Sequence, residues 1–391
     1  MSVLALASAV AGFVKIRYIV EKALIDNLIF RLHYRVTTAI LFLCCILVTA
    51  NNLIGDPISC ITDGGVPAHV INTFCWITYT FTLPGVVGDP GTHVAHPGVA
   101  SAGPDEEKKY HAYYQWVPFM LFFQGVLFYV PHWLWKNWED GKVRALTDGL
   151  RGPNILGTGN KSEKTNRLVQ YIVDSLHHHN VYAACYYLCE LLNFLNVIIN
   201  MFLIDSFLGG SFMTYGTDVL RFSSLNQEQR NDPMVTIFPR VTKCTFHKFG
   251  PSGSIQKHDA MCVLALNILN EKIYIFLWFW FIGLAIASAY SLIASAATVL
   301  LPSIRELILI RHFRFGTPAG AQALIRKTQI GDFFLLQNLG QNLNLVVFSE
   351  LLTELSNQLH LSNNIPTAPS TLEFSPMYPS AKLRLHMETE A

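Results

Sequence analysis

Tyr113-Tyr114-Gln115-Trp116-Val117-Pro118-Phe119 opens a run with no Asp, Glu, Lys or Arg before Lys136. At ~1.5 Å per residue, a helix of that length crosses the ~30 Å hydrocarbon core of a bilayer. Rings with one polar edge favour the membrane–water boundary, and the run has them at both ends. Tyr113, Tyr114 and Trp116 mark one end; Trp133, Trp135 and Trp138 mark the other. Trp116 and Trp133 would stand ~26 Å apart along a helix. Pro118 falls in the first turns, where a missing backbone donor costs least. The stretch predicts a spanning helix over 113–135 with anchored ends.

The whole chain agrees with a membrane setting. Its 391 residues are 51% hydrophobic and 14% charged, with a mean hydropathy of +0.33, too apolar for an ordinary soluble domain. A net charge of +1 with no basic run interleaved with aromatics excludes a strongly basic nucleic-acid binder. Three further charge-poor runs predict spans at 36–54, 181–204 and 273–301. Lys15, Arg17, Lys22, Arg31 and Arg35 precede the first span, against Lys108 and Lys109 before the second. That bias places the amino terminus in the cytosol. The expected order is a helical head (1–35), an outside loop (55–112), a cytosolic loop (136–180), a second outside loop (205–272), a cytosolic helical region (302–360) and a Ser/Pro/Thr-rich disordered tail (361–391). Both termini then lie inside.

Polar residues inside the spans are costly and so informative. Glu190, Asn193, Asn196 and Asn200 recur at steps of three and four, one face of the third span. A centred charge against lipid costs roughly 2.5–3.5 kcal/mol even on lenient scales, so this face meets protein or water. It is either interhelical hydrogen-bond glue or a water-lined gating element. In the fourth span Gly283, Ala287, Ser291 and Ser295 recur every four residues, the spacing that lets helix backbones pack closely, within a subunit or between subunits.

Outside the spans, Val241-Thr242-Lys243-Cys244-Thr245-Phe246 and Ser254-Ile255-Gln256-Lys257 flank Gly250-Pro251-Ser252-Gly253, a hairpin signal. Ser162-Glu163-Lys164 predicts the start of a helix that His177-His178-His179 ends, as cations near a helix carboxyl end or as a pH sensor. Further helices are expected at 331–339 and 342–359. His93 and His96 lack a Cys or acid at metal-ligand spacing. The chain carries no recognisable catalytic, phosphate-binding or zinc motif, so neither an enzyme nor a cofactor or metal is expected.

The eight cysteines divide by place. Cys44, Cys45, Cys185 and Cys189 fall in spans and read as small buried side chains. Cys60 and Cys75 fall in one outside loop and Cys244 and Cys262 in the other, an oxidising setting. Four cysteines allow three pairings. Cys60 and Cys262 both lie near the membrane, which leans modestly towards Cys60–Cys262 with Cys75–Cys244; spacing alone leaves the other pairings open.

Five strings make residues 20–360 resemble the insect innexins, the invertebrate gap-junction proteins. They are Gly55-Asp56-Pro57, Phe74-Cys75-Trp76-Ile77, Tyr113-Tyr114-Gln115-Trp116-Val117, Thr242-Lys243-Cys244-Thr245-Phe246-His247 and Phe276-Leu277-Trp278-Phe279-Trp280. Two cysteines per loop also separate the chain from connexins, whose loops carry three. The resemblance implies an all-α, four-span membrane subunit with a disulfide-tied outer domain containing a β-hairpin and a helical cytoplasmic domain. It implies the pairs Cys60–Cys262 and Cys75–Cys244. It implies a ring of copies, eight in the family pattern, forming a large-pore hemichannel in the plasma membrane that docks with an opposing hemichannel of the same or a related subunit. Ions and small metabolites would pass through the gap junction so formed. The head would fold into the pore entrance, with Ser2, Val3, Leu4 and Ala5 at the constriction, or else lie on the inner membrane surface. A hemichannel that never docks and a tetraspan adhesion protein are the competing readings. The claudin and tetraspanin loop signatures are not found.

Overall fold

The computed structural model of the chain describes residues 23–62, 65–86, 96–101, 106–150, 158–223, 233–311 and 318–362. Among the described residues, four helices are long and apolar enough to cross a membrane: Leu28–Ile54, Val117–Glu139, Asn180–Phe207 and Leu266–Leu300. Two of them start earlier than hydropathy suggests. The first begins at Leu28, not Val36, because Asn27 caps it: the Asn27 side chain accepts from the Phe30 N–H. Its two arginines are accommodated locally, Arg31 3.5 Å from Asp26 and Arg35 donating to the Tyr34 hydroxyl. Leu32–Thr37 winds as a π-helix, with Thr37 Oγ1 donating to the Leu32 carbonyl five residues back. The fourth helix begins at Leu266, not Ile273. Its added turns carry fully buried Glu271, neutralised by Arg240 at 3.0 Å and Lys272 at 2.7 Å. A paired charge can be buried where a lone one cannot.

The alternation of spans and loops gathers the hydrophobic residues into three cores. The middle core joins the four long helices through residues such as Leu41, Leu121, Phe128, Val197 and Phe281. Gly125 lets the first and second helices approach, since a Cβ there would meet the Phe42 ring at 2.9–3.2 Å.

At one end lies a small cap built from both loops that follow the first and third helices. Strands β1 (Ser59–Ile61), β2 (Thr80–Thr82), β3 (Lys109–His111), β4 (Val241–Phe249) and β5 (Ile255–Val263) form one antiparallel sheet in the order β1-β5-β4-β2-β3. The hairpin expected from the Gly/Pro turn is there, with longer arms than its sequence signal. Gly253, at φ 80°, takes the left-handed turn position that glycine tolerates. β1, β2 and β3 are too short to show alternation in sequence. Helix Ala68–Ile77 packs Ile71 and Cys75 onto the sheet, completing the cap core.

At the other end, helices Thr158–Asp174, Pro318–Lys327, Ile330–Asn342 and Leu345–Ser362 form a helical domain on the ends of the second and third long helices. Trp135 is buried there and donates Nε1–H to the Ile25 carbonyl at 2.9 Å. It is therefore not a boundary anchor, while Trp133 and Trp138 are exposed. The histidine run also departs from expectation. The helix ends at Asp174, and His179 instead leads into Asn180–Phe207, buried against Asp332.

Candidate functional site

The Tyr113–Val117 string is the collar that joins cap to membrane bundle. Tyr113 Oη donates to the Ile237 carbonyl at 3.1 Å and Tyr114 Oη to the Cys75 carbonyl at 2.9 Å. Gln115 Nε2 donates to the carbonyls of Trp76 and Ile77. Val117 is buried in the bundle core, while Trp116 stays 60% exposed. The sequence read Tyr113 and Tyr114 as boundary rings; the structure uses their hydroxyls as clamps on the cap, with Tyr114 fully buried. Amphipathic side chains suit this position, their rings in the core and their donors on the carbonyls left over at the ends of helices Ala68–Ile77 and Pro233–Ile237.

Two disulfides tie the first cap loop to the second. Cys60–Cys262 links β1 to β5, where the two residues are direct register partners; Cys75–Cys244 links helix Ala68–Ile77 to β4. Three of these sulfurs cluster as metal ligands might, but all are consumed by the bonds, so the cluster is structural. Cys44, Cys45, Cys185 and Cys189 are free. At the sheet edge His111 is buried, its Nε2 2.8 Å from Thr82 Oγ1. Burial, helped by the Lys109 charge, pushes the ring down to about 4.

Within the bundle, Glu190, Asn193 and Asn200 are buried and Asn196 is half-buried, so the polar face turns inward. Glu190 joins three helices. Its Oε1 accepts from Asn27 Nδ2 at 2.9 Å and from Ser291 Oγ; its Oε2 accepts from Ser295 Oγ at 2.6 Å. Asn200 bonds back to Asn196 on its own helix. The small-residue stripe therefore divides. Ser291 and Ser295 serve Glu190, whereas a Cβ on Gly283 would find no neighbour within 4 Å among the described residues.

The helical domain is latched through Asp332. Its carboxylate accepts from the His177 and Gln329 N–H groups and lies 3.0 Å from His179 Nδ1. Burial alone would raise this carboxyl, but the hydrogen bonds from His179, Gln329 and His177 outweigh it and hold it below its usual range. Asn27 and Asp332 were not singled out in the sequence, although both carry capping signals, Asn before an apolar run and Gln329-x-x-Asp332 at a helix start. Ser2, Val3, Leu4 and Ala5, the middle of the first loop and the tail from 363 lie outside the described residues.

The innexin family profile matches residues 26–359. Innexin inx3 of Drosophila melanogaster is 58% identical over 384 residues, covering 97% of this chain and 97% of that protein. Innexin inx2 of the same organism is 47% identical, covering 90% and 95%, and innexin shaking-B 43%, covering 85% and 90%. With four spans, a cross-tied cap and similarity across nearly its whole length, the chain belongs to the innexin family of gap-junction channel subunits.

Proposed function

We propose that copies of this chain assemble into a ring, eight in the family pattern, that forms a large-pore hemichannel in the plasma membrane and docks cap to cap with a hemichannel of an adjoining cell. Ions and small metabolites would then pass between cytosols. The reading rests chiefly on the cap: two disulfides and one sheet bind both loops into a single rigid surface, suited to meeting a like surface without an ordering cost. The four long helices of one subunit close around their own apolar core, which supports an aqueous pore running between copies. The cation bias before the first span supports a cytosolic location for both termini. The head, with Ser2, Val3, Leu4 and Ala5, is assigned to the pore entrance, and open space at Gly283 suits a neighbouring subunit.

Dual voltage clamp of paired expressing cells tests this. Junctional current in expressing pairs is expected. Surface current without junctional current would make the protein a release channel, and an end-on particle image without a central opening would remove the channel reading altogether.

A further inference from the structure

We propose that the membrane bundle holds a binding site for a single water molecule, coordinated by Asn193, His33 and Glu190. A cavity of about 10 Å³ lies where the first, third and fourth long helices meet, lined by these three residues together with Ser288 and Ser291. One water needs roughly that much space and two to four polar partners. The polar partners are waiting. Asn193 is 3% exposed, and neither its Nδ2 nor its Oδ1 has a partner among the described residues. His33 is 1% exposed, with Nδ1 unpartnered among the described residues.

The neighbours fix the role of that nitrogen. Ser288 Oγ donates its single hydrogen to the Leu284 carbonyl at 2.6 Å. It can then only accept from His33 Nε2, 2.7 Å away. In the neutral ring the hydrogen sits on Nε2, and Nδ1 is an acceptor. A water supplies partners for two of these three atoms: it donates to His33 Nδ1, accepts from Asn193 Nδ2, and turns its second hydrogen to the Glu190 carboxylate. Leaving a buried amide unpaired costs about 1–3 kcal/mol per group, so an apolar-style dry void is disfavoured here. The water would complete a bridge from the third helix to the first, beside the Asn27–Glu190 bond that seats the start of the first helix.

The test is a cryo-electron map of the full-length channel in lipid at a resolution that shows ordered water. A peak within hydrogen-bond distance of Asn193 and His33 Nδ1 supports the site. A cavity without density overturns it, as does a direct bond from the Asn193 amide to Glu190 or His33, or a peak ringed by five or six oxygens at metal distances. Asn193→Leu, which fills the cavity and removes its donor, is expected to lose the peak while assembling normally. A peak that persists there in Asn193→Leu would also overturn it, and if that variant does not assemble, the wild-type map decides alone.

Discussion

Tyr114 Oη donates to the carbonyl oxygen of Cys75, whose sulfur is bonded to Cys244. One side chain at the top of the second long helix thus reads the position of a residue that both cap loops share. The collar is one of the ties between cap and bundle, beside the Arg240–Glu271 pair on the fourth helix.

Tyr114→Phe keeps the ring and deletes the donor, leaving a buried carbonyl unsatisfied. We expect a loss of about 1–3 kcal/mol, seen as a lower melting temperature of the purified channel with both disulfides intact. A melting temperature equal to wild type would show that the hydroxyl clamps nothing.

His111 makes cap stability depend on pH. Its ring is depressed to about 4 in the folded cap, against about 6.5 unfolded. Between those values the unfolded state binds more protons, so stability is full above about 6.5 and is lost as pH falls towards 4, by at most ~3 kcal/mol. Melting curves across that window should steepen in pH dependence for wild type and flatten for His111→Gln.

Gly331 stands against the backbone that leads into the third long helix: a Cβ there would lie 2.2–2.4 Å from His179 and Asn180 backbone atoms. Backbone cannot swing aside as a side-chain tip can. Gly331→Ala is expected to cost about 1–3 kcal/mol or more and to loosen the helical domain. Limited proteolysis of the 318–362 region should speed up; an unchanged rate would mean that the junction tolerates displacement.

Glu190→Gln replaces one acceptor oxygen with a donor where Asn27, Ser291 and Ser295 already donate. A mismatch of about 1.4 kcal/mol would move any equilibrium coupled to this junction tenfold. We expect altered voltage or pH gating in assembled channels. Identical responses in a correctly folded variant would confine Glu190 to structural glue.

Legibility followed range along the chain. The long helices were readable because charge-poor, mostly apolar runs of about twenty residues admit one interpretation in a bilayer. Their starts were not: Arg31, Arg35 and Glu271 look like terminators in a hydropathy count, yet Asp26, Tyr34, Arg240 and Lys272 accommodate them in space. The polar face of the third helix was visible from its spacing, but its partners on the first and fourth helices were not. The aromatic string was recognised for the right helix and given partly the wrong duty, since a tyrosine facing a membrane boundary and one clamping a loop are spelled alike.

By itself the sequence determined the number of spans, the division of cysteines between loops and membrane, and the family, because hydropathy, charge and motif strings are local properties that add along the chain. Only the tertiary structure decided that three strands of three residues each join the hairpin in one sheet, that Glu190 meets Asn27 and Ser295, and that Asp332 holds His179. The three side-chain pairings link residues 105 or more positions apart, and no periodicity encodes them. They exist because burying polar groups demands partners, and packing chooses which ones arrive.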